Sequence, residues 1–343
     1  MLYYYALLYY NINLKQIKTM KKIHLISTLI GLLAFSTLAK ADLKVVTSIK
    51  PIHSLASYIM DGVGSPGLIV DGYNSPHSFQ LKPSHAKMLE QADIIFWIGE
   101  DLENFLEKPL ATIAKKAEKI ELLEIKGIKK LKFRERNIFE EHDDHGHDAK
   151  KEEHDDDDDH GHDAKKEEHD DHDDHGHSEY DPHIWLDPIN AKVILNEITE
   201  HLIENDSKNA TTYKSNLAKA LAEIDKLIID VITETNTDLS YVVFHDAYQY
   251  YENRFNVNIL GAMTVNPDVM PGAEQIHEIH EVIEHDNVNC ILSEPQFNPD
   301  IIKSIAKDTS VKTGVLDPLG ANLKPGKDLY FDLIRNMSAS FNC

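Results

Sequence analysis

Four residues offer imidazole or carboxylate groups in settings that could converge on one metal ion. His77 lies in Asn74-Ser-Pro-His-Ser-Phe, and His183 in Asp181-Pro-His-Ile-Trp-Leu-Asp187-Pro. His245 ends the apolar run Val242-Val-Phe, and Asp317 follows the β-type segment 311–316 and precedes Pro318. Three neutral imidazoles with one carboxylate or water make a four-coordinate nitrogen and oxygen set suited to zinc. Imidazole also suits copper and nickel, so the ligand types alone do not fix the metal. Taken singly, a histidine at a strand end is more often a surface or hydrogen-bonded residue than a ligand.

A second store of ligands is concentrated in residues 140–179. It holds His142, His145, His147, His154, His160, His162, His169, His172, His175 and His177, half of the 20 histidines in the chain. The same stretch carries 20 acidic residues against 4 lysines, which is most of the formal net charge of -23. It is repetitive: His-Gly-His-Asp-Ala-Lys-Lys-Glu-Glu-His-Asp runs from His145 to Asp155 and again from His160 to Asp170. No apolar period of 2 or 3.6 survives there, so the segment is expected to be a disordered insertion that collects divalent metal and adds nothing to a core. So negative a chain would be repelled by nucleic acid or an anionic membrane surface, and neither is an expected partner.

The elements that must position the four residues alternate in type. Residues 42–49, 68–70 and 94–99 read as strands, with helices expected over 51–60, 83–91 and 103–117. After the insertion come a helix over 190–202 and a long one over 207–235, whose Leu217, Leu221, Ile224, Leu227 and Ile228 recur at steps of 3 and 4. At 1.5 Å per residue that helix would span about 43 Å, which favours a rigid connector between two domains. Strand and helix then alternate again: strands over 241–244, 257–260, 289–292 and 311–316, helices over 247–255, 273–284, 299–307 and 328–340. The expected fold is α/β, with two lobes that each hold a mostly parallel sheet flanked by helices. The lobes are expected over 42–205 and 236–343, joined by a linker helix over 206–235. In this arrangement all four residues fall in loops at strand ends, where open α/β sheets bind ligands.

Lys21 and Lys22 precede an apolar run over 23–38, then Leu38-Ala-Lys-Ala41 and Asp42. This is the pattern of a secretory signal peptide over 1–41, cleaved after Ala41, with Met20 as the expected start. The run is shorter than the 20 or so residues a membrane helix needs, so the mature chain is not expected to insert. An exported chain with only Cys290 and Cys343 is expected to join them in a disulfide, a zinc role for the pair being the weaker alternative. His53 and His85 are read as structural or surface residues. The stretch from His277 to His285 fits no H-E-x-x-H frame, because the fifth position is Glu281 from His277 and Glu284 from His280.

The contexts of the four residues resemble the zinc-binding proteins of ABC-type zinc importers, the ZnuA-like members of the cluster A-I substrate-binding family. Leu81-Lys-Pro-Ser84 and Ala92-Asp-Ile-Ile-Phe-Trp-Ile-Gly-Glu100 are similar to that family's first-domain signature. Pro182-His-Ile-Trp-Leu-Asp-Pro188 and Phe244-His-Asp-Ala-Tyr248 are similar to its second and third ligand motifs. Ser293-Glu-Pro-Gln-Phe297 and Leu316-Asp-Pro-Leu-Gly320 are similar to its closing signatures. The resemblance runs through 42–343 and implies two αβ lobes joined by a long helix, with metal in the cleft between them. It implies His77, His183 and His245 as zinc ligands, Asp317 at the aspartate position, and a monomer that hands Zn2+ to a membrane ABC permease from the periplasm. Some members carry an acidic residue just before the first ligand, where this chain has Pro76. Manganese-binding members carry glutamate at the third histidine position, so His245 points to zinc. The chain is therefore not expected to be an enzyme. The competing readings are a zinc hydrolase, for which Glu294 is the nearest candidate base, and a zinc buffer or surface adhesin.

Overall fold

The computed structural model describes residues 42–134, 137–138, 179–265, 267, 269, 271–307, 309 and 311–343. The signal segment over 1–41 and all ten histidines of the insertion lie outside the described residues.

The first half is built on the strands β1 (Val45–Thr47), β2 (Gly67–Leu68), β3 (Ile94–Trp97) and β4 (Glu118–Glu121), all parallel in the order β2-β1-β3-β4. The helices α1 (Lys50–Ile59), α2 (Pro83–Gln91) and α3 (Glu100–Thr112) make the crossovers. Every residue of β1 and β3 is buried, as continuous apolar runs in parallel strands require. The edge strand β4 was not expected from the sequence: its Glu-Lys-Ile-Glu buries only Ile120, and the apolar signal of a strand is missing. The second half repeats the plan with β5 (Ser240–His245), β6 (Asn258–Thr264), β7 (Cys290–Ser293) and β8 (Lys312–Val315), parallel in the order β6-β5-β7-β8. Its helices are α6 (Gln249–Phe255), α7 (Ala273–His285) and α8 (Asp300–Lys307).

Between the two sheets in sequence lie α4 (Pro188–Asn205) and α5 (Ala210–Glu234), the second entered through a single 3-10 turn at Ser207–Asn209. The α5 face that is fully buried is Tyr213, Asn216, Ala220, Ile224, Leu227 and Val231. Leu217, Leu221 and Ile228 of the expected stripe are only partly buried and flank it. That wide face is needed because α5 packs against α1, α4 and the C-terminal helix α9 (Leu329–Ser340). The helix α9 also packs on α1, so the end of the chain returns to the first half, with Leu329, Tyr330, Leu333, Ile334 and Met337 buried.

Cys290 and Cys343 form a disulfide across 53 residues, tying the chain terminus to the start of β7. A loop of that length stabilises the folded state mainly by restricting the unfolded chain. Cys343→Ser is expected to lower unfolding free energy by about 2–4 kcal/mol in denaturant titration while leaving metal affinity unchanged.

Candidate metal centre

Two loops and one strand end bring three imidazoles to a common point. The loop after β2 carries His77, which is half-buried. His183 immediately precedes a 3-10 turn, Ile184–Leu186, and His245 is the last residue of β5; each is only 3% exposed. The potential ligand atoms of these three imidazoles all lie within 4.8 Å of one another. Ring centroids are 5.5 Å apart for His77 and His183, 5.6 Å for His77 and His245, and 5.2 Å for His183 and His245. The Nε2 atoms of His183 and His245 approach each other to 3.3 Å.

Each of the two buried rings turns its other nitrogen to a carboxylate. His183 Nδ1 is 2.7 Å from Asp181 Oδ1, which also accepts the His183 backbone N–H at 2.9 Å. His245 Nδ1 is 2.6 Å from Glu294 Oε1. A carboxylate that accepts the Nδ1–H fixes the tautomer, leaves Nε2 as the lone-pair donor and makes it more basic. Asp181 and Glu294 therefore set both inward-facing nitrogens for ligation. The sequence alone does not reveal the task of Asp181; its place two residues before His183 is the one signal of it. Glu294 was read as a candidate base, and the structure pairs it with the ring of His245 instead.

Electrostatics divide the three rings. Burial holds His77 well below the ordinary histidine range, and repulsion from His183 and His245 adds to this. His183 is likewise held well below that range, first by burial and then by His245. Burial would lower His245 too, but the charge of Glu294 and its hydrogen bond outweigh it, and the net shift is upward. Burial pushes the Asp181 carboxyl up to about 7, against the pull of the His183 N–H, His245 and Arg134.

The supporting contacts explain why the motif around His183 is so long. Trp185 is fully buried and donates its ring N–H to Pro318 O at 2.8 Å. Asp187 caps α4 through the Ile189 N–H and holds Arg254 of α6 with both oxygens, at 2.7 and 2.8 Å. Tyr250 donates to Asp181 O at 2.8 Å and accepts the Leu131 N–H at 3.0 Å. Leu131 O in turn accepts the Asp181 N–H, and Lys132 pairs antiparallel with Tyr180. The two flanks of the insertion thus meet beside the segment that carries His183.

A match to the family model of the periplasmic zinc-uptake complex component A, ZnuA, covers residues 45–342. The high-affinity zinc uptake system protein ZnuA of Brucella abortus is 46% identical over 328 residues, 94% of this chain and 98% of that protein. The protein of that name from Haemophilus ducreyi is 40% identical over 321 residues, 91% of this chain and 96% of its own length. The chain belongs to the ZnuA family. Solved structures agree in fold: a ZnuA crystal structure superposes with a TM-score of 0.66 at 20% identity, covering 88% of this chain and 100% of its own. A laminin-binding adhesin of Streptococcus agalactiae superposes with a TM-score of 0.67 at 22% identity, covering 88% of this chain and 98% of its own.

In this ZnuA-family chain Asp317 does not join the group of mutually close ligand atoms. Its Oδ1 accepts the backbone N–H groups of Leu319 and Gly320 and the side-chain amide of Gln296, and its Oδ2 accepts the Ala321 N–H at 2.5 Å. Gly320 adopts φ +70°, a left-handed turn that brings these N–H groups onto one carboxylate, and a Cβ there would lie 3.1 Å from Leu323. The carbonyls of Gly320, Ala321 and Leu323 are held from the other side by the buried ammonium of Lys50 at 2.7–3.0 Å. The loop after β8 is thereby fixed against the first half of the molecule.

His53 is buried in α1 and faces Pro66 O at 3.2 Å, and His85 Nδ1 accepts the Lys82 N–H at the start of α2. His277 is exposed and pairs with Glu281 one turn on. Among the described residues one more group, Glu118, His201 and Glu204, brings potential ligand atoms together. There the nitrogens of His201 already face Glu118 and Glu197, at 2.9 and 3.2 Å.

Proposed function

We propose that this chain is the zinc-binding receptor of a periplasmic zinc-uptake system, which captures Zn2+ and delivers it to a membrane ABC permease. The observation that carries this reading is the triad of inward-facing imidazoles, two of them oriented by buried carboxylates. His77, His183 and His245 are its proposed zinc ligands, and zinc is cargo, not a resident cofactor. A nitrogen-rich set of this kind suits zinc far better than manganese, which prefers carboxylate and water oxygen. The family match and the ZnuA-named relatives support the same reading.

The site lies between the proposed lobes over 42–205 and 236–343, and the helix over 206–235 joins them. A continuous helix packed along its whole length resists a wide hinge motion, so ordering of loops on zinc binding is the expected response. The histidines of the insertion are proposed to collect zinc beside the site, since its two flanks meet next to Asp181. Export by a signal peptide over 1–41 and a monomeric mature chain complete the proposal; among the described residues no helix is long and apolar enough to cross a membrane.

Titration of the purified mature protein is expected to give tight binding of zinc and much weaker binding of manganese. Expression in a strain whose own zinc receptor has been deleted is expected to restore growth under chelation. Tighter binding of manganese, or no rescue by a well-expressed protein, would sink the proposal. A hydrolytic role finds no support in the geometry, because Glu294 is occupied by His245 and buried.

A further inference from the structure

The three histidines leave the fourth position of a tetrahedral zinc to be filled. Asp317 is the residue the motifs offer, yet its carboxylate already accepts from four donors. Three of these are backbone N–H groups of one turn, which hold it in place. Withdrawing an oxygen from that cradle to reach a metal would leave backbone donors without partners, which a buried turn resists.

The fourth donor to Asp317 is the more informative one. Gln296 Nε2 donates to Asp317 Oδ1 at 2.9 Å. A carboxylate only accepts when ionised, so the nitrogen of the Gln296 amide must face it, and this fixes which way the amide is turned. The carbonyl oxygen Oε1 is then directed away from Asp317. It is buried and has no hydrogen-bond partner. Gln296 also lines the same small cavity as His77, His183 and His245, with Glu294 and Trp185 alongside. A buried amide oxygen without a partner is expensive in a folded protein and calls for a polar partner, and the cavity that Gln296 shares with the three histidines is a place where one can stand.

We propose that Gln296 is a positioning residue for the cargo: its Oε1 accepts a hydrogen bond from the water that completes the coordination of zinc by His77, His183 and His245. The proposal rests on the zinc reading of the triad. It gives Asp317 a different task, that of clamping the Gln296 amide and the turn over 318–321. It also bears on selectivity. A fourth position given to water held by an amide is not given to a carboxylate, and the donor set stays nitrogen-rich, away from the preference of manganese.

The test is Gln296→Leu in the intact mature protein, which keeps the size of the side chain and removes both polar atoms. Zinc affinity is read by competition with a chromophoric chelator, and coordination by the visible bands of the protein loaded with Co(II). Urea unfolding of the metal-free protein monitors the turn. The expected result is about a tenfold weaker zinc affinity together with a changed Co(II) spectrum, the size usual for loss of a group that supports a metal ligand. Azide added to the Co(II)-loaded wild type should shift its bands by exchanging with the water. Unchanged affinity, an unchanged Co(II) spectrum in the variant, or no response of the wild type to azide would each overturn the proposal. If the wild type itself bound no zinc tightly, the zinc reading would fall first, and His77→Ala, run in parallel, tells the two failures apart.

Discussion

Replacing His77, His183 or His245 with alanine is expected to weaken zinc binding on the order of 100-fold or more, whereas deleting 140–178 leaves the tight site in place. The size follows from the ligand count. Zinc held by four donors in a folded site binds with about 10–16 kcal/mol, so one imidazole accounts for roughly 3 kcal/mol, or about a hundredfold. His183→Ala and His245→Ala also strand a buried carboxylate, Asp181 in one case and Glu294 in the other, whose imidazole partner has gone. Both should therefore lose more protein stability than His77→Ala, whose ring has no carboxylate behind it among the contacts of the site. The insertion is expected to change how many ions are bound and how fast they arrive. Calorimetry on the three variants and on the deletion, each beside the wild type, ranks the two sources of ligands. A deletion that removes tight binding while all three alanine variants retain it would place the main site in the insertion.

The alternation of strand and helix could be read along almost all of the described chain because the inner strands are buried on both faces. Ile94-Ile-Phe-Trp and Tyr241-Val-Val-Phe have nowhere to lie but inside a parallel sheet. The strand β4 could not be read for the opposite reason: it lies at an edge, and only Ile120 turns inward. The α5 helix was found by its period, but the burial of Tyr213 and Asn216 depends on packing against α1 and α4, which no local pattern announces. Asn216, for instance, donates to Ile59 O and Asp61 O at the end of α1. The three histidines were legible as members of motifs, and physics alone left each of them a weak candidate. What turns them into a site is tertiary: the meeting of a loop after β2, a turn before α4 and the end of β5. The same holds for Asp317, whose position beside Pro318 at a strand end is that of a ligand. Its commitment to a cradle of N–H groups appears only once the turn at Gly320 is formed.

The uneven electrostatics of the triad predict how capture responds to acid. Zinc binds the neutral ring, so a ligand that holds a proton in the metal-free protein must release it first. His77 and His183 lie well below the ordinary histidine range and are already neutral near pH 7. His245 is shifted the other way by Glu294, and so it is the ring that takes up a proton first as the pH falls, beginning above the ordinary value of 6.5. Below its own pKa, apparent zinc affinity should drop about tenfold per pH unit for each proton displaced. The Asp181 carboxyl, raised to about 7, adds a second proton over much the same range, because a zinc ion beside it favours its ionised form. The slope is therefore expected to be one to two protons per zinc, not the three that equal histidines would give. Glu294→Gln separates the two contributions of that carboxylate with opposite signs. Near pH 8 the variant should bind zinc about 10–100-fold more weakly, because the amide supports the ring less well than a carboxylate. On the acid side its affinity should hold to lower pH than in the wild type, because the two largest upward influences on His245 are then gone and burial is opposed only by Asp246 and Asp181. Competition titrations from pH 5.5 to 8 on both proteins decide the matter. A wild-type slope of three protons, or a variant that loses zinc at the same pH as the wild type, would show that Glu294 does not set the proton affinity of the site.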